Sequence, residues 1–191
     1  MKLYYTDSSP YARKVRAHMR YLNCDIEEIF AHPFQQDNLI RDCNPLGKIP
    51  VLQIDEQYLM DSETIIAFLN TKYSNNHELS LLELRCLAMC QGLMDAAVNL
   101  RVETVRKLES DWWTTRLKMS IENSLRALNS ECSAELLRST TSHLPIALVC
   151  ALEYLEFRQQ EWAAELLQCE LSKNLAAWAL KPYLTAIPFS D

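Results

Sequence analysis

A small α/β domain followed by an all-helical one is the fold class this 191-residue sequence predicts, and three observations carry it. Residues 1–75 alternate short apolar runs with stretches of helical periodicity. A connector rich in Pro and Gly, Asn44-Pro45-Leu46-Gly47-Lys48-Ile49-Pro50-Val51-Leu52, interrupts them. From Glu78 onward every periodic stretch has helical spacing.

Lys2 to Tyr5 is short, aromatic and apolar, and Thr6-Asp7-Ser8-Ser9-Pro10 stops it, so a first strand ends in a helix start. Ser or Asp caps such a start and Pro10 suits its first turn. Tyr11, Val15, Met19 and Leu22 then follow helical spacing, while Arg13, Lys14, Arg16 and Arg20 form a basic face assigned to solvent. Cys24 to Phe30 alternates as a second strand, His32-Pro33-Phe34 breaks it, and Asp37 to Cys43 has room for a short helix. The connector leads into a strand over Val51 to Ile54, a turn at Asp55-Glu56 and a strand over Gln57 to Leu59. Asp61-Ser62 opens a helix with Ile65, Ile66, Leu69 and Tyr73 on one buried face.

Ser74-Asn75-Asn76-His77 is polar and marks the domain boundary. Helices are expected over Glu78 to Lys107, Ser110 to Asn129, Leu144 to Phe157 and Leu171 to Leu180. The third is apolar nearly all round, as at the centre of a bundle.

Composition narrows the function. With 49% hydrophobic and 23% charged residues the chain reads as a soluble globular protein. A formal net charge of -6 disfavours nucleic acid, whose phosphates need clustered Lys and Arg. The apolar run Leu144 to Leu152 is too short to span a bilayer, which takes ~20 residues, so no membrane partner is expected. Seven scattered cysteines without a CxxC fit reduced thiols in a cytoplasmic protein better than disulfides or a metal.

Three features of the first domain have the chemistry of a binding site. Ser9 stands where a strand passes into a helix, whose free amides and dipole favour an anion. Asp61-Ser62 repeats this arrangement, with hydroxyl and amides suited to a carboxylate and the Asp suited to an ammonium. Ile49 before Pro50 offers backbone hydrogen bonds where a cis peptide turns them outward. Together they suit a small zwitterionic peptide carrying a thiolate. Taken singly, Ser9 is more often only a cap and Asp61-Ser62 a common helix start, and the connector reads equally as a loop before an edge strand; their combination points to a site.

With those residues in view, the chain resembles a bacterial glutathione S-transferase. The resemblance rests on Ser9-Pro10-Tyr11-Ala12-Arg13-Lys14-Val15-Arg16, on the connector Asn44 to Leu52, on Asp61-Ser62 with Ile65-Ile66, and on Trp178, Lys181-Pro182-Tyr183-Leu184 and Pro188. It implies a thioredoxin-like domain over residues 1–75, an all-helical domain over residues 80–191 and a homodimer. Glutathione would be co-substrate, without a metal, and a small electrophilic, hydrophobic compound the second substrate. By position, Ile49 before a cis Pro50 would pair with the cysteinyl part of glutathione, and Asp61 and Ser62 would take its γ-glutamyl end. Lys48 is a candidate for the glycyl end. Ser9 would face the sulfur, with Tyr5 and Ser8 as alternative donors.

Serine rather than cysteine at that place argues against a mixed disulfide with the enzyme. The implied reaction is thiolate addition to an electrophile, or peroxide or disulfide reduction. The alternative is a non-catalytic binding protein of the same fold, similar to the stringent starvation proteins. The resemblance also implies a pocket beside Met94, Asp95 and Val98, with Trp112 and Trp113 read as packing. One departure is Pro145, where the family carries a capping Asp, which leaves Ser142 as the cap of that helix.

Overall fold

The computed structural model describes residues 1–31, 39–74, 78–107 and 111–191. The chain forms two compact units, Met1–His77 with Pro182–Asp191, and Glu78–Lys181. The segment 182–191, expected within the all-helical second domain, therefore packs with the first. His32-Pro33-Phe34, the start of the helix expected from Asp37, Asn75 to His77 and Ser110 lie outside the described residues.

In the first unit, β1 (Lys2–Tyr5), α1 (Pro10–Tyr21), β2 (Glu27–Phe30), α2 (Leu39–Cys43), β3 (Val51–Ile54), β4 (Gln57–Met60) and α3 (Ser62–Tyr73) follow in order. The sheet order is β2-β1-β3-β4. β1 and β2 are parallel through the α1 crossover, while β3 runs antiparallel to both β1 and β4. Alternation along the strands gives each face its own core. Leu3 and Leu52 pack with Val15 and Met19 of α1 and Ile65, Ile66 and Leu69 of α3. Tyr4 and Val51 pack with Ile40 and Cys43 of α2 on the other face. This βαβ–ββα arrangement is thioredoxin-like.

Local chemistry explains where elements begin and end. β2 starts later than the alternation from Cys24 suggests, because Cys24 belongs to the cap of α1. Asn23 adopts φ 54, its amide bonds to Arg20 O at 3.1 Å, and the Cys24 amide bonds to Met19 O at 2.9 Å. That is the Schellman pattern, with Asn in the left-handed position. Tyr73, expected on the buried face of α3, is 37% exposed at its last turn.

The larger departure lies on α1. Arg13, Lys14 and Arg16, read as a solvated face, are 3%, 0% and 6% exposed. Each has its own partner. Lys14 Nζ pairs with Glu63 Oε1 of α3. Arg16 donates to Asp7 Oδ1 at 2.6 Å and to Glu28 Oε2 at 2.7 Å, with its guanidinium 3.7 Å from the Tyr5 ring centroid. Arg20 joins Glu28 as well. Lys14 and Arg16 face carboxylates and Arg13 faces backbone carbonyls and a ring, so each buried cation has acceptors of its own.

The second unit holds α4 (Leu81–Arg106), α5 (Asp111–Glu131), α6 (Ala134–Ser139), α7 (Leu144–Arg158), α8 (Gln160–Leu166) and α9 (Glu170–Ala179). α7 has every residue from Leu144 to Leu152 buried, and it packs against α4, α8 and α9. The short helices α6, α8 and α10 (Pro182–Thr185, in the first unit) carry too few residues for periodicity to reveal them. α4 begins in a capping box: Ser80 Oγ accepts the Glu83 amide at 3.3 Å, and Glu83 Oε2 accepts the Ser80 amide at 2.9 Å.

Glu83 then reaches the start of α7, accepting from Thr140 Oγ1, which contacts Ser142 Oγ at 2.7 Å. Ser142, expected as the cap, stands one residue before the N-cap His143, which makes no side-chain cap bond; its Oγ accepts the Leu144 amide at 3.3 Å from there. Burial alone would raise the Glu83 carboxyl. The hydrogen bonds from Thr140, Ser80 and Ser142 outweigh it and hold the group down at about 2.

Candidate functional site

Register places the candidate residues at one end of the sheet. Tyr4 pairs with Val51, and Val51 with Met60. The end of β1, the start of β3 and the end of β4 are therefore neighbours across strands ~4.8 Å apart. Ser9 follows the first of these ends, Ile49-Pro50 precedes the second and Asp61-Ser62 follows the third. α1 and α3 start from this edge on the same sheet face, joined one turn in by Lys14 and Glu63.

Ser9 is the N-cap of α1, with its Oγ accepting the Ala12 amide at 3.2 Å. Capping uses a lone pair and leaves the hydroxyl proton to donate elsewhere, so the cap and a thiolate contact are compatible. Tyr5, the alternative donor, sits beneath Arg16 and meets Phe30 edge-on at 5.9 Å. Ser8 is half-buried in the turn before Ser9.

The Ile49-Pro50 peptide is cis. Pro50 is buried and Ile49 half-buried, and among the described residues no hydrogen bond uses the Ile49 amide or carbonyl. The connector takes its shape from Asn44, which is 1% exposed. Its Oδ1 accepts the Leu46 amide at 2.9 Å, its Nδ2 donates to Lys48 O at 2.7 Å and its carbonyl accepts the Gly47 amide at 2.8 Å. Gly47, at φ 61, takes a backbone conformation that a side chain would strain. Sequence reasoning assigned Asn44 no role, although Asn ahead of Pro and Gly is a turn signal. Lys48 projects its side chain into solvent.

Asp61 caps α3, accepting Thr64 N at 3.0 Å and Thr64 Oγ1 at 3.2 Å, with φ 72. Ser62 differs from the other candidates. It is 2% exposed, and among the described residues its Oγ has no hydrogen-bond partner. An unpaired buried hydroxyl beside the free amides of a helix start is costly and matches a carboxylate in chemistry.

In the second unit Met94 is fully buried and Asp95 exposed, while Trp112 is 72% exposed and lies outside the core. No helix is long and apolar enough to cross a membrane among the described residues. Nor does any cluster of His, Cys, Asp or Glu among them have the arrangement to hold a metal ion.

A thioredoxin-like unit with a cis-proline corner between two helix starts, accompanied by an all-helical unit, defines the class of glutathione transferase folds. The comparisons agree. Residues 3–77 match the family model for the glutathione S-transferase N-terminal domain. The uncharacterized GST-like protein YibF of Escherichia coli (strain K12) is 30% identical over 169 residues, 83% of this chain and 84% of that protein. A solved glutathione S-transferase from Methylobacillus flagellatus KT, with GSH bound, superposes with TM-score 0.87 at 27% identity over 99% of both chains. A glutathione transferase family member from Pseudomonas fluorescens Pf-5, with bound glutathione, has TM-score 0.84 at 26% identity, covering 100% of this chain and 99% of that one. The chain belongs to the glutathione S-transferase family.

Proposed function

We propose that this protein is a glutathione-dependent transferase whose first unit binds reduced glutathione and keeps its sulfur ionised for attack. The observation that carries the reading is the buried hydroxyl of Ser62 at the start of α3, without a partner among the described residues, on the sheet edge that also bears Ser9 and the cis Ile49-Pro50 peptide. Relatives crystallised with glutathione support it.

Ser62 and the first amides of α3 take the γ-glutamyl carboxylate, and Asp61 takes its ammonium. The backbone of Ile49 pairs with the cysteinyl part, and Lys48 reaches toward the glycyl carboxylate. Glutathione supplies the nucleophilic sulfur. Ser9 donates a hydrogen bond to that sulfur and does not act as a base, since its own hydroxyl stays protonated. A charge-assisted bond of ~1.5–3 kcal/mol lowers a thiol pKa by roughly one or two units. The thiol proton leaves to solvent, and the sulfur then bonds to a carbon of a small electrophilic, hydrophobic substrate, expelling an anionic leaving group or pushing a π electron pair onto an atom that takes a proton from water. With a peroxide it breaks the O–O bond and releases hydroxide or alkoxide, and with a disulfide it breaks the S–S bond and releases a thiolate. The reading includes a cytoplasmic homodimer.

Calorimetric titration with reduced glutathione tests this. Ser62→Ala should weaken binding by roughly tenfold or more, the worth of one hydrogen bond to a charge. Ser9→Ala should leave affinity nearly unchanged and raise the pH at which the bound thiol ionises. A parent protein that does not bind millimolar glutathione would overturn the proposal in favour of a non-catalytic binding protein of this fold.

A further inference from the structure

The Lys181-Pro182-Tyr183-Leu184 stretch, with Pro188, has no part in the site described above, yet the structure gives it a partner. α10 and the residues after it pack on α1 within the first unit. Arg13 donates from Nε to Ile187 O at 2.8 Å and from Nη2 to Leu184 O at 3.4 Å, and its guanidinium lies 4.5 Å from the Phe189 ring centroid. At the other end of α1, Tyr21 meets Tyr183 edge-on at 5.6 Å. Leu184 and Ile187 are buried, so the carbonyls that receive Arg13 sit on a fixed turn, in which the Ile187 amide bonds back to Leu184 O at 3.2 Å.

The same arginine closes the turn that carries Ser9, because its amide donates to Ser9 O at 3.0 Å. One residue thus holds the Ser9 backbone through its main chain and segment 182–191 through its side chain. We infer that segment 182–191 is a clasp on α1 and that Arg13 is a positioning residue that fixes the Ser9 turn. A buried guanidinium accepts few alternative arrangements, since any that separates it from both carbonyls gives up two directional hydrogen bonds where no water replaces them. The planar fork reaches two carbonyls at once, which a lysine ammonium cannot reproduce.

The functional consequence rests on the glutathione reading, whereas the clasp does not, and the experiment separates the two. Hydrogen exchange is measured on the ligand-free full-length protein and on Arg13→Met, Arg13→Lys and Phe189→Ala. Arg13→Met should speed exchange in peptides covering residues 9–21 by roughly tenfold, as expected when a local opening becomes easier. Peptides of α7 should be unaffected. Phe189→Ala, which leaves Arg13 in place, should give a smaller change in the same peptides, and Arg13→Lys should restore part of the protection. Exchange within about twofold of the parent in both Arg13→Met and Phe189→Ala would overturn the clasp.

The ultraviolet absorbance of the bound thiolate is then followed against pH. In Arg13→Met its midpoint should rise by about half a unit or more, with a smaller change in affinity. A loosened α1 with an unchanged midpoint would make the contact purely structural and overturn the positioning role. A parent protein that binds no glutathione overturns the functional reading alone, and exchange still decides the clasp.

Discussion

The two units bury different things. Among the described residues, the first unit encloses Arg13, Lys14, Arg16 and His18 along a single helix, each partnered: carbonyls for Arg13, Glu63 for Lys14, Asp7 and Glu28 for Arg16, and Asn70 Oδ1 at 2.7 Å for His18. The second encloses a nearly all-apolar α7 and a pair of thiols, Cys132 and Cys86, with sulfurs 3.3 Å apart. Burial pushes both thiols up and keeps them neutral. Directional contacts fix one arrangement of the helix that starts at Ser9, whereas apolar packing stabilises without specifying polar geometry as narrowly. The unit that carries the candidate site is the one that adds directional contacts along its first helix to its apolar cores.

The comparison can be broken at its apolar end. Leu148→Ala, at a fully buried position of α7, should cost roughly 2–5 kcal/mol in urea unfolding, through lost transfer energy and the cavity left behind. A cost below that of Arg16→Lys would reverse the contrast.

Among the described residues of the second unit, Glu83 is a buried carboxylate that departs from this pattern. Its carboxyl is held down from 4.5 to about 2, so its contribution is complete above the unfolded value and is lost as pH falls through about 2. Glu83→Gln should therefore cost about 3 kcal/mol at pH 7, and the parent's excess stability over the variant should shrink between about pH 4.5 and 2. Denaturant melts at pH 7 and pH 3 check this. A gap that is the same at both values would show that the Thr140 and Ser80 bonds do not favour the ionised form.

Arg16→Lys keeps the charge but loses the fork that spans Asp7 and Glu28. A loss of about 1–2 kcal/mol is expected, with faster exchange confined to the first unit. Equal stability would mean that charge alone, and not geometry, holds α1. At the small end, Trp112→Ala at an exposed position should change stability by less than about 0.5 kcal/mol, seen as an unmoved urea midpoint.

Most of the fold was legible because apolar periodicity reports which face of each element meets a core. The strands Lys2–Tyr5 and Val51–Ile54 and the helix from Leu144 stand where that periodicity put them. The capping box at Ser80 and Glu83 was missed, and the helix expected from Glu78 begins only at Leu81. The basic residues of α1 were not legible either. Their positions off the apolar stripe assigned them to solvent, while the groups that accept their hydrogen bonds lie 12, 49 and 174 residues away along the chain. Ser62 could be named from sequence as one half of a helix start. That its hydroxyl would be buried with no partner among the described residues could not.

The sequence by itself determined the two kinds of domain, the proline corner and the two helix beginnings, because each depends on local backbone preferences and on the period of apolar side chains. Tertiary structure decided that these beginnings share one sheet edge, that α1 buries its cations and that residues 182–191 return to the first unit. Those outcomes depend on which distant groups come to lie opposite each other. Strand register and packing set such pairings, and no local spacing encodes them.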